Sequence, residues 1–252
     1  MKTLIVIPSR YASTRYPGKP LANIAGKSLV QRTSQQALKV NGDITVAVAT
    51  DDQRIYDHVK QFGGQAVMTS AEHPSGTDRC FEAADALGIS FDVLINLQGD
   101  EPFIQPEQVE SLIRLFAETH TDIATLRKQI HTTEELWNEN VVKVITDRYR
   151  RAIYFSRFPI PFRRGAEREK WQSEQAYYRH IGIYGFRQSV IADLKNLAPS
   201  ALEVSESLEQ LRWIENGFTI SVADTGFQSP AIDTPADMTE VEKFLKAHPE
   251  MI

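Results

Sequence analysis

Three cations, Arg10, Arg15 and Lys19, fall within ten residues of one another, directly behind the apolar run TLIVIP at 3–8. The whole chain carries a net charge of −5, so this cluster reads as a local site and not as part of a basic face. Two guanidinium groups can each grip phosphate oxygens through paired bonds, and a lysine adds a point charge. Gly18 lets the backbone come close to what they hold. A triphosphate is the polyanion such a loop suits, each charge-assisted bond contributing roughly 1.5–3 kcal/mol. The loop is neither the G-x-x-x-x-G-K-[ST] phosphate loop nor the G-x-G-x-x-G dinucleotide fingerprint, which argues against a dinucleotide-dependent dehydrogenase. The competing reading of the same residues is a solvated loop whose cations pair with scattered acids.

The elements that must position this loop alternate. TLIVIP (3–8), ITVAVAT (44–50), QAVMT (65–69) and DVLINLQ (92–98) read as strands, the last continuous and apolar as a central parallel strand is. Between them lie helical patterns at 28–40, opened by Ser28 with Gln31, and after Asp51, which reads as a cap, up to Gly63-Gly64. Another runs from Thr77 to Leu87 before Gly88, and Pro106 suits the first turn of one reaching about Glu118. Strand and helix at this spacing predict a mainly parallel sheet with helices on both faces, an α/β fold. Ligands then sit beyond the strands' carboxyl ends, which selects the loops 9–20, 69–76 and 98–105.

After Asp122 the pattern changes. VVKVITDRYRRAIYFS (141–156) predicts an antiparallel hairpin turning at 147–150, and YYRHIGIYGFR (177–187) a further strand. Helices are expected at 190–197 and 202–215, and Thr234-Pro235 opens a last one. No linker-like stretch divides the chain. Residues 1–252 therefore read as one domain, with 130–200 as an insertion on the main sheet. The charged run 163–170 reads as a solvated loop or a lid.

At 252 residues, 42% hydrophobic and 24% charged, the chain can bury a full core. The acidic balance excludes a general nucleic-acid or anionic-membrane binder. A single cysteine, Cys80, excludes an intrachain disulfide and a cysteine zinc site, and reads as core packing. No apolar run reaches the ~18 residues of a membrane span or resembles a secretion signal, so the expectation is a soluble, cytoplasmic protein.

The opening IPSRYASTRYPGKPLANIAGKSLV resembles that of sugar nucleotidyltransferases, together with HPSGTDR (73–79), NLQGDEPFI (96–104), RHIGIYGFR (179–187), SLEQLRWIENG (207–217) and IDTPADM (232–238). The likeness runs from residue 4 to about 245. It is most specific to the cytidylyltransferases that activate acidic sugars, the 3-deoxy-manno-octulosonate (Kdo) cytidylyltransferase family. The resemblance implies a Rossmann-like three-layer α/β/α fold, with the antiparallel insertion serving dimerisation and the sugar side. It implies a homodimer that makes CMP-Kdo and pyrophosphate from CTP and Kdo, with Mg²⁺. Relatives acting on 8-amino-Kdo or a sialic acid, or a non-catalytic nucleotide-binding module, would share much of this pattern.

The resemblance assigns Asp100, at a strand's carboxyl end, and Asp233, before the last helix, to Mg²⁺ as catalytic residues with Lys19. A turn residue and a helix cap are their plain alternatives. Mg²⁺ takes only one or two protein carboxylates, so a pair far apart in sequence suffices. Glu101 is either a supporting group or simply exposed. Arg10, Arg15 and Lys19 then take the triphosphate of CTP, and Ser75, Gly76 and Arg79 the cytosine, the alternative for Arg79 being a pair with an acid on its own helix. Gln98, Arg157, His180, Tyr184, Glu206 and Gln210 are the sugar candidates the resemblance supplies. His180 and Tyr184, four apart in a strand, share a face. Glu206 and Gln210, at i and i+4 of a helix, would reach one ligand together.

Overall fold

The computed structural model describes residues 1–12, 16–227, 230, 232 and 234–249. The chain forms two compact units, one of Met1–Glu110 with Gln228–Ile252, the other of Ser111–Phe227.

The first unit carries β1 (Lys2–Ser9), the two-residue strands β2 (Asn23–Ile24) and β3 (Lys27–Ser28), β4 (Asp43–Thr50), β5 (Ala66–Met68) and β6 (Val93–Asn96). Between them run α1 (Leu29–Ala37), α2 (Gln53–Gln61) and α3 (Gly76–Leu87). Then α4 (Pro106–Leu115) leads onward. The other four strands are parallel, in the order β6–β1–β4–β5. Leu4, Ile5, Val6 and Ile7 of β1 are all fully buried. Consecutive buried residues point to opposite sides of a strand, so both faces of the sheet are covered. Right-handed crossovers put α1 and α2 on one face and α3 on the other. The chain goes from β1 to β4 on one side and returns to β6 on the other, so the order reverses at β1. That is where an open α/β sheet leaves a crevice beyond its carboxyl ends.

The helix starts are set locally. Ser28 accepts from the Gln31 amide at 3.2 Å and Ser75 from the Asp78 amide at 3.1 Å. The cap of α2 is Asp52, which accepts from the Arg54 amide at 2.9 Å, and not Asp51 as the sequence suggested. Asp51 instead faces the buried Arg79. The C-terminal helix Met238–Ala247 follows a Thr234–Asp237 capping box. It packs Val241 and Leu245 with Ile24, Leu29, Phe103 and Ile232 in one cluster.

The second unit holds β7 (Ile123–Gln129), α5 (Thr133–Trp137), β8 (Lys143–Thr146), β9 (Ala152–Ser156) and α6 (Trp171–Glu174). It continues through β10 (Tyr178–Arg187), α7 (Ile191–Lys195), α8 (Ala201–Glu206), α9 (Gln210–Glu215) and β11 (Ile220–Asp224). Here β7 pairs parallel with β11 and antiparallel with β10, while β8 and β9 form the expected hairpin. The fold is thus Rossmann-like α/β, mainly parallel with antiparallel additions. The expected helix at 202–215 is two helices. Ser207 takes a left-handed conformation (φ 53°, ψ 49°) and ends α8, so Glu206 and Gln210 are not one turn apart on a common helix. The segment 158–175 is anchored by Trp171, which shares a small core with Ile130, Leu136 and Tyr177. Trp171 and Tyr177 are buried, and the Tyr177 hydroxyl donates to the Pro161 carbonyl at 3.0 Å. Among the described residues no helix is long and apolar enough to cross a membrane.

Candidate active site

A cavity of about 470 Å³ opens at the reversal point of the first unit, lined by Pro8, Ser9, Arg10, Lys19, Gln98 and Asp100 among others. Its walls come from the loops behind β1, β5 and β6. Two glycines let those loops close on one another. Gly18 has φ 71° and donates to the Tyr11 carbonyl at 2.9 Å, which turns the chain so that Lys19 follows. A Cβ on Gly99 would stand 2.9 Å from the Pro8 carbonyl oxygen and 3.1 Å from Ser9 Oγ, so only glycine fits so near the end of β1.

Within the cavity Lys19 Nζ lies 3.0 Å from Asp100 Oδ2, with side chains 15% and 28% exposed. Both charges are therefore in reach of a ligand. Arg10 donates from Nη2 to the His73 carbonyl at 2.8 Å. Ser9 Oγ is buried with no hydrogen-bond partner among the described residues, an unfilled polar atom in the wall. Arg15 and Asp233 lie outside the described residues. The residues flanking position 233 are fixed: the Ile232 amide donates to the Asp100 carbonyl at 3.2 Å, and the Thr234 amide to Asp237 Oδ2 at 2.7 Å.

Of the residues chosen for the base, Gly76 lines the cavity. Ser75 caps α3 and donates its hydroxyl proton to Asp78 Oδ2 at 2.7 Å. Arg79 is fully buried, bonded to Thr69 Oγ1 at 2.6 Å and Asp51 Oδ2 at 3.0 Å. Burial lowers its pKa, with Asp51 opposing. Arg79 thus ties α3 to the ends of β4 and β5. Gln98 lines the cavity, and its Nε2 donates to Asn96 Oδ1 at 3.1 Å.

The other sugar candidates lie in the second unit, around β9 and β10. The carboxylate of Glu206 accepts from Ser156 Oγ at 2.7 Å and from the Arg157 amide at 2.9 Å. The Arg157 guanidinium is spread over backbone carbonyls, with Nε to Glu206 at 2.8 Å, Nη1 to Glu139 at 3.2 Å and Nη2 to Ser207 at 3.3 Å. Gln210 is buried at the start of α9. His180 and Tyr184 do share a face. The register slips between Ile181 and Tyr184, so they stand opposite Arg127 and Thr125 of β7, two apart, with ring centroids 5.2 Å from each other.

Thr125 decides the His180 tautomer. Its hydroxyl lies 2.8 Å from the Ile183 carbonyl and 2.9 Å from His180 Nε2. The single hydroxyl proton goes to a carbonyl, so Nε2 must carry the proton shared with Thr125 Oγ1. Burial, with the Arg179 charge beside it, pushes the imidazole down to about 3, so the ring is neutral. Burial likewise holds the Tyr184 phenol well above its usual range.

Two supports were not singled out in the sequence. Thr125 gives no signal there. Lys143 does: a lone lysine in the apolar alternation VVKVI marks a buried charge that needs partners. Its Nζ donates to the carbonyls of Val141 and Arg157, each at 2.6 Å, and of Asn138 at 2.8 Å. Three N–H bonds on three carbonyls match an ammonium group. Although burial and Arg157 lower its pKa to about 8, the group stays protonated at neutral pH.

Residues 4–220 match the Cytidylyltransferase family. A 3-deoxy-manno-octulosonate cytidylyltransferase of Parabacteroides distasonis is 48% identical over 97% of this chain and 98% of its own length. The protein of that name from Bacteroides thetaiotaomicron is 49% identical over 98% and 99%. A solved CMP:2-keto-3-deoxy-manno-octonic acid synthetase complexed with CTP superposes with a TM-score of 0.91 at 40% identity, covering 98% of this chain and 99% of that one. A cavity at the sheet's reversal point, cations facing a carboxylate, and full-length likeness at this level agree: the chain belongs to the 3-deoxy-manno-octulosonate cytidylyltransferase family.

Proposed function

We propose that the protein transfers CMP from CTP to the anomeric hydroxyl of Kdo, giving CMP-Kdo and pyrophosphate, and so activates Kdo for lipopolysaccharide biosynthesis. The observation that carries this reading is the Lys19–Asp100 pair, set 3.0 Å apart in the cavity behind β1. The attacking hydroxyl is a weak nucleophile and the leaving group carries several negative charges. Lys19 and Arg10, with Arg15 from the same loop, are the cations to meet those charges as they build up on the departing pyrophosphate. Holding the triphosphate by its ends also orients the α-phosphorus towards the sugar. The loop 73–76 offers backbone groups to a small pyrimidine edge, with Arg79 and Ser75 bracing the loop from behind.

The donor set fits a hard divalent cation. Asp100 presents a carboxylate in the cavity with its Oδ2 on Lys19, and Asp233 follows the residue whose amide is bonded to the Asp100 carbonyl. These two carboxylates would hold Mg²⁺, which supplies charge neutralisation on phosphate and a lowered pKa for a bound hydroxyl. On the sugar side Glu206, Gln210, His180 and Tyr184 present an acceptor, an amide and two polar rings to hydroxyl groups. Neutral His180 offers Nδ1 as an acceptor. Arg157 holds the turn that carries Glu206. The protein acts as a cytoplasmic homodimer, and exposed Tyr149 and Ile153 on the β8–β9 hairpin, at 60% and 52%, supply apolar surface for the interface.

The test is pyrophosphate release from CTP, ATP and GTP with Kdo, 8-amino-Kdo and a sialic acid, with and without Mg²⁺. Release confined to CTP with Kdo and dependent on Mg²⁺ is expected. Equal rates with ATP, or no release with Kdo, would overturn the reading. Light scattering at micromolar concentration reads the dimer.

A further inference from the structure

The geometry points to Glu82 as a positioning residue of the nucleotide site, one that holds the loop 69–76 so that the His73 carbonyl fixes the Arg10 guanidinium in the cavity wall. Glu82 lies on α3, outside the cavity lining. One of its oxygens, Oε2, accepts from the Ser70 amide at 2.8 Å and is paired with His73 Nε2. A single carboxylate therefore closes the loop at two points, at its entry and just before Pro74. Within the span, the Glu72 amide adds a bond to Ser70 Oγ at 3.1 Å. The outcome is the position of one atom, the His73 carbonyl oxygen, 2.8 Å from Arg10 Nη2.

A planar guanidinium held at one edge has its other edge aimed. Arg10 sits in the cavity wall, so a fixed edge means that less side-chain freedom is lost when a phosphate is gripped. Removing Glu82 leaves Arg10 in place but unaimed. That predicts weaker CTP capture with the chemical step little changed. A plain supporting role for Glu82 as counter-charge to Arg79 is already filled by Asp51, 3.0 Å from that guanidinium. Burial raises the Glu82 carboxyl, but the His73 bond, the Ser70 amide and the nearby Arg79 outweigh it and leave it lowered, in keeping with an ionised acceptor.

The proposal rests on the reading of Arg10 as a triphosphate ligand. The experiment separates the two. Arg10→Ala, Glu82→Gln, Glu82→Ala and the double variant Arg10→Ala/Glu82→Gln are compared in melting temperature and in kinetics with CTP varied at saturating Kdo. Glu82→Gln keeps an acceptor for Ser70 but no charge for His73. It should raise KM for CTP about 3- to 10-fold with kcat within about twofold, and Glu82→Ala should raise it further. In the Arg10→Ala background the Glu82→Gln change should add less than about twofold, since its effect runs through Arg10. An undiminished Glu82 effect in that background, or a lowered melting temperature with KM unchanged, would make Glu82 merely structural. If Arg10→Ala itself leaves KM for CTP unaltered, the assignment of Arg10 falls, and this proposal falls with it by that separate route.

Discussion

Lys19 and Asp100 in the first unit and Arg157 and Lys143 in the second hold their charges in opposite ways. In the cavity of the first, Lys19 and Asp100 meet side chain to side chain, both partly exposed, with Ser9 Oγ lacking a partner among the described residues. In the second, Arg157 spends its guanidinium on three backbone carbonyls, Lys143 does the same with its ammonium, and Glu206 accepts from Ser156 and the Arg157 amide. A charge that holds several backbone carbonyls at once is committed to the fold, above all the fully buried Lys143, because replacing it leaves those carbonyls unpaired. Charges that meet side chain to side chain in a cavity wall can change partners when a ligand arrives. The contrast separates groups placed for chemistry from groups that keep a binding surface in shape. It predicts that substitution of Lys19 or Asp100 strikes turnover and spares stability, whereas substitution of Lys143 or Arg157 strikes stability first.

The largest effect that would sharpen this contrast is at Lys143. Lys143→Met strands three carbonyls, and about 3 kcal/mol of stability should be lost in urea unfolding, unpaired buried groups costing about 1–3 kcal/mol each before relaxation. A loss below ~0.5 kcal/mol would break the comparison. Lys19→Ala is its counterpart. One charge-assisted bond of about 1.5–3 kcal/mol corresponds to a roughly 10- to 150-fold fall in kcat/KM for CTP. The unfolding midpoint should move little, since partly exposed pairs contribute about 0–1 kcal/mol.

Next comes pH. His180 sits at about 3 in the fold, below the ordinary histidine value of about 6.5. The unfolded chain therefore binds the extra proton first. The stability from the neutral ring is complete above the unfolded value and is lost as pH falls from about 6.5 towards 3. By pH 5 that amounts to at most about 2 kcal/mol. Denaturation curves at pH 7.5 and 5 should show the drop in the parent protein and a smaller drop in His180→Gln. The smallest effect expected is a gain. Ser207 is a non-glycine residue in the left-handed region, so Ser207→Gly should stabilise the protein by about 0.5–1 kcal/mol without touching CTP affinity.

The parallel half was legible because its physics is local and periodic. The apolar runs behind β1, β4 and β6 and the glycine and proline stops gave the elements within a few residues, and the carboxyl-end rule led to the loops that line the cavity. The second unit was harder. β7 was missed because Arg127 and Lys128 break an apolar strand pattern. Arg127 is in fact buried against Asp224 at 2.7 Å and Thr146 at 2.7 Å, partners distant in sequence. The break at Ser207 has no glycine to announce it. The backbone commitments of Arg157 depend on where three carbonyls lie, and no spacing in the sequence encodes that. Resemblance supplied the names of the sugar candidates, but only the structure says which of them are tied to backbone.

Asp100 is the residue on which most depends, being both the partner of Lys19 and a proposed holder of the divalent cation. The measurement is the turnover number of Asp100→Asn at saturating CTP, Kdo and Mg²⁺, taken beside calorimetric CTP binding and the same pair of values for Asp233→Asn and the double variant. A loss of about 100-fold or more is expected in each single variant, with CTP binding retained through the loop cations and a double variant barely worse than either single, as for groups acting as a unit. Turnover within a few-fold of the parent, or losses additive to within about 0.5 kcal/mol, would contradict it.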